Sequence, residues 1–277
     1  MRFAIISDIH NNLEAFRSTL DDIERQKVDK ICCLGDLLGY GPDPIKCVDL
    51  MLDLRRKGKL EVCLPGNHDQ AAMFEPLGFN YMAEAAVNWT REQLEKAHGN
   101  RAVDRLDFLG ELQIQQYYRK DELLFVHGSP RNRLNEYVFE EDVEDPDKMS
   151  KIFNAISQQY SAKYCFVGHT HVPGVFVNKT VGMRYEYHSY DEIRKENGGV
   201  FRLGPEETLV NVGSVGQPRD GDWRSCYVIL NYEPKGSDNF IEFRRVEYDV
   251  EKTVAAFAEI PELAKYPFLA QRIREGR

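Results

Sequence analysis

The feature that most constrains this chain is a repeated coupling. Short continuous apolar runs end, again and again, in a metal-capable side chain, usually beside a glycine. Phe3-Ala-Ile-Ile6 leads into Ser7-Asp8-Ile9-His10, and Lys30–Leu34 leads into Gly35-Asp36. Leu60–Leu64 leads into Pro65-Gly66-Asn67-His68-Asp69. Leu123–Val126 ends in His127-Gly128, and Tyr164–Val167 ends in Gly168-His169-Thr170-His171. An apolar run of this length without polar alternation predicts a strand buried on both faces. Helical patterns separate the first three runs. Leu13, Phe16, Leu20 and Ile23 share one face behind a candidate cap at Asn12, and Asp43-Pro44 opens a second helix reaching Leu54. The order β-α-β-α-β predicts an α/β fold with a parallel sheet. Ligands of such sheets bind at the carboxyl ends of the strands, so the five polar ends are expected in one crevice.

Residues 81–110 predict two helices parted by Gly99-Asn100. The acidic stretch Glu140–Asp147 reads as a solvated loop, with a helix over Met149–Tyr160. From Val175 short β-like runs dominate and predict an antiparallel or mixed second sheet. The tail from Val250 reads as two short helices broken by Pro261 and Pro267.

The histidines sharpen the functional reading. Of seven, His10, His68, His127, His169 and His171 sit at strand ends, and only His98 and His188 lie elsewhere. Imidazole with carboxylate and amide oxygen, and no thiolate, suits Mn or Fe, and also Ni, Co or Zn. Asp8, His10, Asp36 and His171 can serve one divalent ion. Asp36, Asn67, His127 and His169 can serve a second, with Asp36 bridging and a hydroxide held between the ions. Two carboxylates against two dications leave the site positive. That matters because the chain carries a net charge of −9. So acidic a chain lacks the electrostatic footprint of a protein that binds long nucleic acid, so attraction for a phosphate ester must be local. His68 neighbours a ligand yet lies on a predicted turn. It is placed to stabilise or protonate a leaving oxygen, and Asp69 to orient its neighbours.

The blocks Asp8-x-His10, Gly35-Asp36-x-x-Gly39, Gly66-Asn67-His68-Asp69, His127-Gly128 and Gly168-His169-x-His171 resemble the calcineurin-like metallophosphoesterase superfamily, in the family's order. The resemblance implies a four-layer α/β/β/α sandwich, two mixed sheets packed face to face with helices outside, and a dinuclear metal-dependent phosphoesterase. The text around Gly35–Pro42 and Asn211–Asp222 is similar to the small prokaryotic phosphodiesterases, whose relatives include dinucleoside polyphosphate hydrolases. Asn11 departs from the glycine commoner there, and asparagine tolerates a left-handed backbone. Relative to the smallest members, the implied single domain over 1–277 has cap insertions near 70–122 and 180–207 and a helical tail over 250–277.

Substrate contacts are expected from Arg131 and Arg219, whose guanidinium groups suit bidentate phosphate binding. Tyr40 and Phe79 can stack on a base or pack in the core. The leading function is hydrolysis of a small phosphodiester or nucleotide phosphoanhydride. The rivals are a phosphomonoesterase and a catalytically silent binding module, the latter at odds with the complete ligand set. The six cysteines form no C-x-x-C pair and read as reduced structural thiols. With no apolar stretch near the ~20 residues of a membrane span and no signal peptide, the protein is expected in the cytoplasm, away from membranes.

Overall fold

The computed structural model describes every residue except 180–183, 235 and 237, so the start of the expected 180–207 insertion lies outside the described residues. The first half of the chain alternates β1 (Arg2–Ile6), α1 (Leu13–Arg25), β2 (Lys30–Cys33), α2 (Pro44–Arg56) and β3 (Leu60–Cys63). The short helix α3 (Asn67–Met73), then α4 (Tyr81–Lys96) and α5 (Ala102–Leu112), lead to β4 (Tyr118–Lys120) and β5 (Leu123–Phe125). After α6 (Pro146–Asn154) come β6 (Tyr164–Val167), β7 (Gly174–Lys179), β8 (Arg184–Ser189) and α7 (Tyr190–Asn197). The chain ends with β9 (Val200–Arg202), β10 (Thr208–Asn211), β11 (Ser225–Asn231), β12 (Phe240–Val246), α8 (Val250–Ala258), α9 (Pro261–Ala264) and α10 (Pro267–Glu275).

Two six-stranded mixed sheets result, in the orders β3-β2-β1-β11-β12-β9 and β4-β5-β6-β10-β7-β8. Strands β1, β2 and β3 run parallel in the first, and β5, β6 and β10 run parallel in the second. Alternation along each strand explains the layers. Phe3, Ile5, Phe125 and Phe166 point into a core shared by the two sheets. Ala4 and Ile6 point outward, under Leu13 and Phe16 of α1. Cys165 and Val167 point outward on the other side, under Met149, Ile152 and Phe153 of α6. The order helix, sheet, sheet, helix is the expected four-layer sandwich. Asn12 caps α1 as predicted, its side chain accepting from the Ala15 amide at 3.2 Å.

Several local expectations change. The strands after Val175 do not form a sheet of their own: β7, β8 and β10 complete the second sheet, while β9, β11 and β12 complete the first. Strand β11 can enter beside β1 because both its faces are apolar: Cys226, Val228 and Leu230 face the shared core, and Tyr227 and Ile229 face the helices. The acidic stretch is not a plain loop. Glu140–Glu144 winds into a short 3₁₀ turn, and Pro146 starts α6, capped by Asp145. Asp43 makes no side-chain cap to α2; its carboxylate pairs with Lys46 at 2.6 Å instead. The tail forms three short helices, the first and last buttressing the outer layer through Phe257, Leu269 and Ile273.

Candidate metal centre

Because the parallel strands of both sheets end at one edge, their trailing loops converge. The chain leaves these strands through unusually tight turns. Asp8, His10, Asn11, Asp36, His169 and His171 all have left-handed φ, between 47° and 66°. Such backbone in non-glycine residues costs roughly 1–3 kcal/mol each and collects at functional sites. Asn11 holds its turn by donating Nδ2–H to the Gly39 carbonyl at 2.7 Å. Glycine is required where loops meet: a Cβ on Gly168 would collide with the Asp8 carboxylate, and one on Gly66 with that of Asp36.

All seven expected ligands, and His68, are buried and brought together. Asp8 Oδ1 lies 3.2 Å from His171 Nε2 and 3.8 Å from His10 Nε2. Asp36 Oδ2 lies 3.6 Å from His10 Nε2 and 3.4 Å from His127 Nε2. His127 Nε2 also faces Asn67 Oδ1 at 3.2 Å and His169 Nδ1 at 3.1 Å. Three groups are spaced to hold a cation: Asp8 with His10 and His171, His10 with Asp36 and His68, and Asp36 with His127 and His169.

The hydrogen bonds around the rings tell what the donors are arranged for. His10 donates Nδ1–H to the Leu38 carbonyl at 3.0 Å, and His171 donates Nδ1–H to the Gln217 carbonyl at 2.6 Å. Each Nε2 is therefore a bare acceptor, and the two face one another across 3.1 Å. Opposed lone pairs repel at that distance unless a cation lies between them. Asp8 Oδ1 is buried with no hydrogen-bond donor among the described residues. The donor set thus fits metal ions on its own chemistry.

Electrostatics follow from burial and from two carboxylates among five imidazoles. Burial opposes the charge on Asp8, but His171 holds its carboxyl well below the usual range. Asp36 is likewise held down against burial by His127 and His68. Burial pushes His169 down to about 3, with His127 adding to the effect. His127 goes the other way, up to about 9, because the Asp36 carboxylate outweighs the effect of burial.

His68 does not lie on an open turn. It occupies the first turn of α3, because Asp69 accepts the Gly66 amide at 2.9 Å and closes a helical start there. Its ring packs against Tyr40 and Phe79 at centroid distances of 4.5 and 4.6 Å. Burial pushes it down to about 4 against the pull of Asp36, and the nearby Arg219 charge contributes. The neutral imidazole, not a group titrating near pH 7, is the resting form. Asp69 is a positioning residue: its carboxylate also accepts the Leu38 amide at 2.8 Å, tying the Asp36 loop to α3.

Beside the centre lies a cavity of about 340 Å³ walled by Tyr40, His68, Phe79, Tyr137 and His169 among others. Tyr40 and Phe79 are thus both at the site. Arg219 is too, its backbone amide donating to the His171 carbonyl at 3.2 Å. Arg131 does not line the cavity. Glu136 holds its guanidinium, with Nε at 2.8 Å. Tyr137 escaped the sequence reading. It stacks on His169 at 3.8 Å between centroids and 15° between planes. No local pattern marks it, since it approaches His169 only through the loop after β5.

The calcineurin-like phosphoesterase family model matches residues 1–173. An uncharacterised protein of Methanocaldococcus jannaschii is 34% identical over 99% of this chain and 98% of its own length. A metallophosphoesterase crystal structure from Sphaerobacter thermophilus superposes with a TM-score of 0.77 and 32% identity, over 100% of this chain and 99% of that one. A hypothetical protein from Pyrococcus horikoshii shares the fold at a TM-score of 0.72 and 17% identity, over 100% and 98% of the two chains.

Proposed function

The chain belongs to the calcineurin-like phosphoesterase family and is a metal-dependent phosphoesterase, and from that premise we propose that it hydrolyses a phosphodiester or nucleotide phosphoanhydride with two bound divalent cations. Asp8, His10, Asp36 and His171 would hold one ion, and Asp36, Asn67, His127 and His169 the other. The observation that carries this reading is the position of Asp36 Oδ2, within 3.6 Å of a histidine from each group. Imidazole, carboxylate and amide oxygen suit manganese or iron, and nickel, cobalt and zinc match the same donors. The ions would supply an activated water and positive charge for the phosphoryl oxygens.

The protein's own residues do the rest. His68, neutral at rest, donates an N–H hydrogen bond to the leaving oxygen and keeps that oxygen's developing charge partnered. Arg219 binds a phosphoryl oxygen, and Tyr40 packs against the leaving group. The aromatic walls of the cavity suit a nucleoside or another flat group. The residues of 70–80 on its rim, including Phe79, act as the specificity cap. All six cysteines are free, Cys33 and Cys63 being on paired strands, which fits work in a reducing cytoplasm. Among the described residues, no helix is long and apolar enough to cross a membrane.

The test is a substrate panel with the Mn²⁺-loaded protein and chelator controls. Bis-p-nitrophenyl phosphate and a dinucleoside tetraphosphate should be cleaved, and p-nitrophenyl phosphate poorly. A preference for the monoester would replace this reading with a phosphomonoesterase. Binding of two ions with no turnover of any ester would replace it with a silent binding module.

A further inference from the structure

Two arginines from the C-terminal quarter of the chain approach Tyr40. Arg219 belongs to the loop after β10, and its Cζ lies 5.8 Å from the Tyr40 ring centroid. Arg272 belongs to α10, where its Cζ lies 4.9 Å from the Phe268 ring centroid, within electrostatic reach of Arg219 and Tyr40. Burial holds its pKa below the usual arginine range, and the like charge of Arg219 adds to this.

Neither arginine has a carboxylate partner among the described residues. The acids beside them are already engaged. Asp220 pairs with Arg245, Asp222 with Arg224 at 2.6 Å, Glu251 with Arg274 at 2.5 Å and Glu275 with Arg277 at 2.5 Å. The Nε of Arg219 and the Nε of Arg272 are both buried without a hydrogen-bond acceptor. Two cations held together with unsatisfied buried donors are unfavourable unless an anion joins them.

The pair is also held in place. Gln217 Oε1 accepts from Arg219 at 2.8 Å. The Gly221 amide donates to the Gly276 carbonyl at 2.8 Å, tying the end of α10 to the loop that carries Arg219. Gly276 has a φ of 66° and would meet the Asp222 backbone at 2.6 Å if it carried a Cβ. Leu269 and Ile273, on either side of Arg272 in α10, are buried in the helical layer.

We propose that Arg219 and Arg272 form a subsite for a second phosphoryl group of the substrate, so that the C-terminal helix completes the active site. The substrate then carries at least two phosphoryl groups, one over the metal centre and one bridging the two guanidinium groups. This rests on the phosphoesterase reading of the metal centre, and it selects a phosphoanhydride over a lone diester.

The test reads binding, so it does not depend on turnover. Methylphosphonate and methylenediphosphonate, which the enzyme cannot cleave, are titrated calorimetrically into the full-length metal-loaded protein. The same titrations are made on Arg272→Gln and Arg272→Lys. Part of the bisphosphonate's advantage comes from the metals and is common to all three proteins. The subsite predicts that Arg272→Gln lowers bisphosphonate affinity about tenfold, while methylphosphonate affinity moves less than twofold. Arg272→Lys should recover most of the loss, because it keeps the charge. Equal bisphosphonate affinity in wild type and Arg272→Gln would overturn the subsite, and so would an equal loss for both ligands. Failure of the wild type to cleave any ester would overturn the phosphoesterase reading alone, since these affinities are measured without turnover.

Discussion

The backbone amide of His68 donates to Asp36 Oδ1 at 2.8 Å, and this bond leaves Oδ2 free to face His10 and His127. The start of α3 therefore aims the one carboxylate that lies between the two groups of ligands. It also places the His68 ring on the cavity wall, so the aim of the Asp36 carboxylate and the position of that ring depend on the same turn.

Because His68 gives its backbone amide to Asp36 and, in the proposed reaction, its ring to the substrate, the two roles separate on mutation. His68→Ala keeps the amide. Metal content should persist, while kcat falls about 10²- to 10⁴-fold, the usual contribution of a positioned proton donor. Elemental analysis alongside steady-state kinetics checks this, and unaltered turnover would remove His68 from the reaction.

Asp69 accepts the amides of Gly66 at 2.9 Å and Leu38 at 2.8 Å. Asp69→Asn would turn an NH₂ group toward one of those donors and loosen both loops. Metal affinity or activity should drop roughly 10- to 100-fold, as for other groups that orient ligands. Competition against a fluorescent chelator measures the change.

Metal uptake should release protons. In the metal-free protein Asp36 keeps His127 charged up to a pKa of about 9, so at pH 7.5 an incoming cation displaces that proton. The sign follows: metal affinity weakens as pH falls, and the release shrinks as pH rises past 9. A folded pKa raised above the unfolded 6.5 also means that the His127 contribution to metal-free stability is complete below 6.5 and lost as pH rises through about 9. Calorimetry at pH 7.5 in buffers of different ionisation enthalpy should show the released proton. Identical heats in all buffers would contradict this.

A Cβ at Gly168 would strike the Asp8 carboxylate and the Ser7 hydroxyl. Gly168→Ala should displace Asp8 and lower metal affinity about 10- to 100-fold. The thermal shift on adding Mn²⁺ should shrink accordingly. A full shift would show that the loop yields without moving Asp8.

The clustering of the candidate ligands is legible in the sequence because the pattern that marks each of them is local. Each follows a run of apolar residues whose burial on both faces fixes where the strand ends, and Gly66 and Gly168 mark where loops must touch. The assignment of late strands to sheets was not legible. Strands β9 and β10 are both short runs a few residues apart, yet they join different sheets, and only packing across the shared core decides between them. The same holds for Tyr137 on His169 and for Arg272 beside Arg219. These contacts are made by residues with no pattern around them, brought in by a loop and by the last helix. The reduced basicity of His68 arises from burial, which the residue's identity does not reveal.

In the proposed centre Asp36 is shared by two cations. The most direct measurement is the metal stoichiometry of the purified full-length chain saturated with Mn²⁺ and freed of excess ion. The account predicts two ions per chain, falling to one or none in Asp36→Asn. A single ion in the wild type, or two retained in Asp36→Asn, would contradict it.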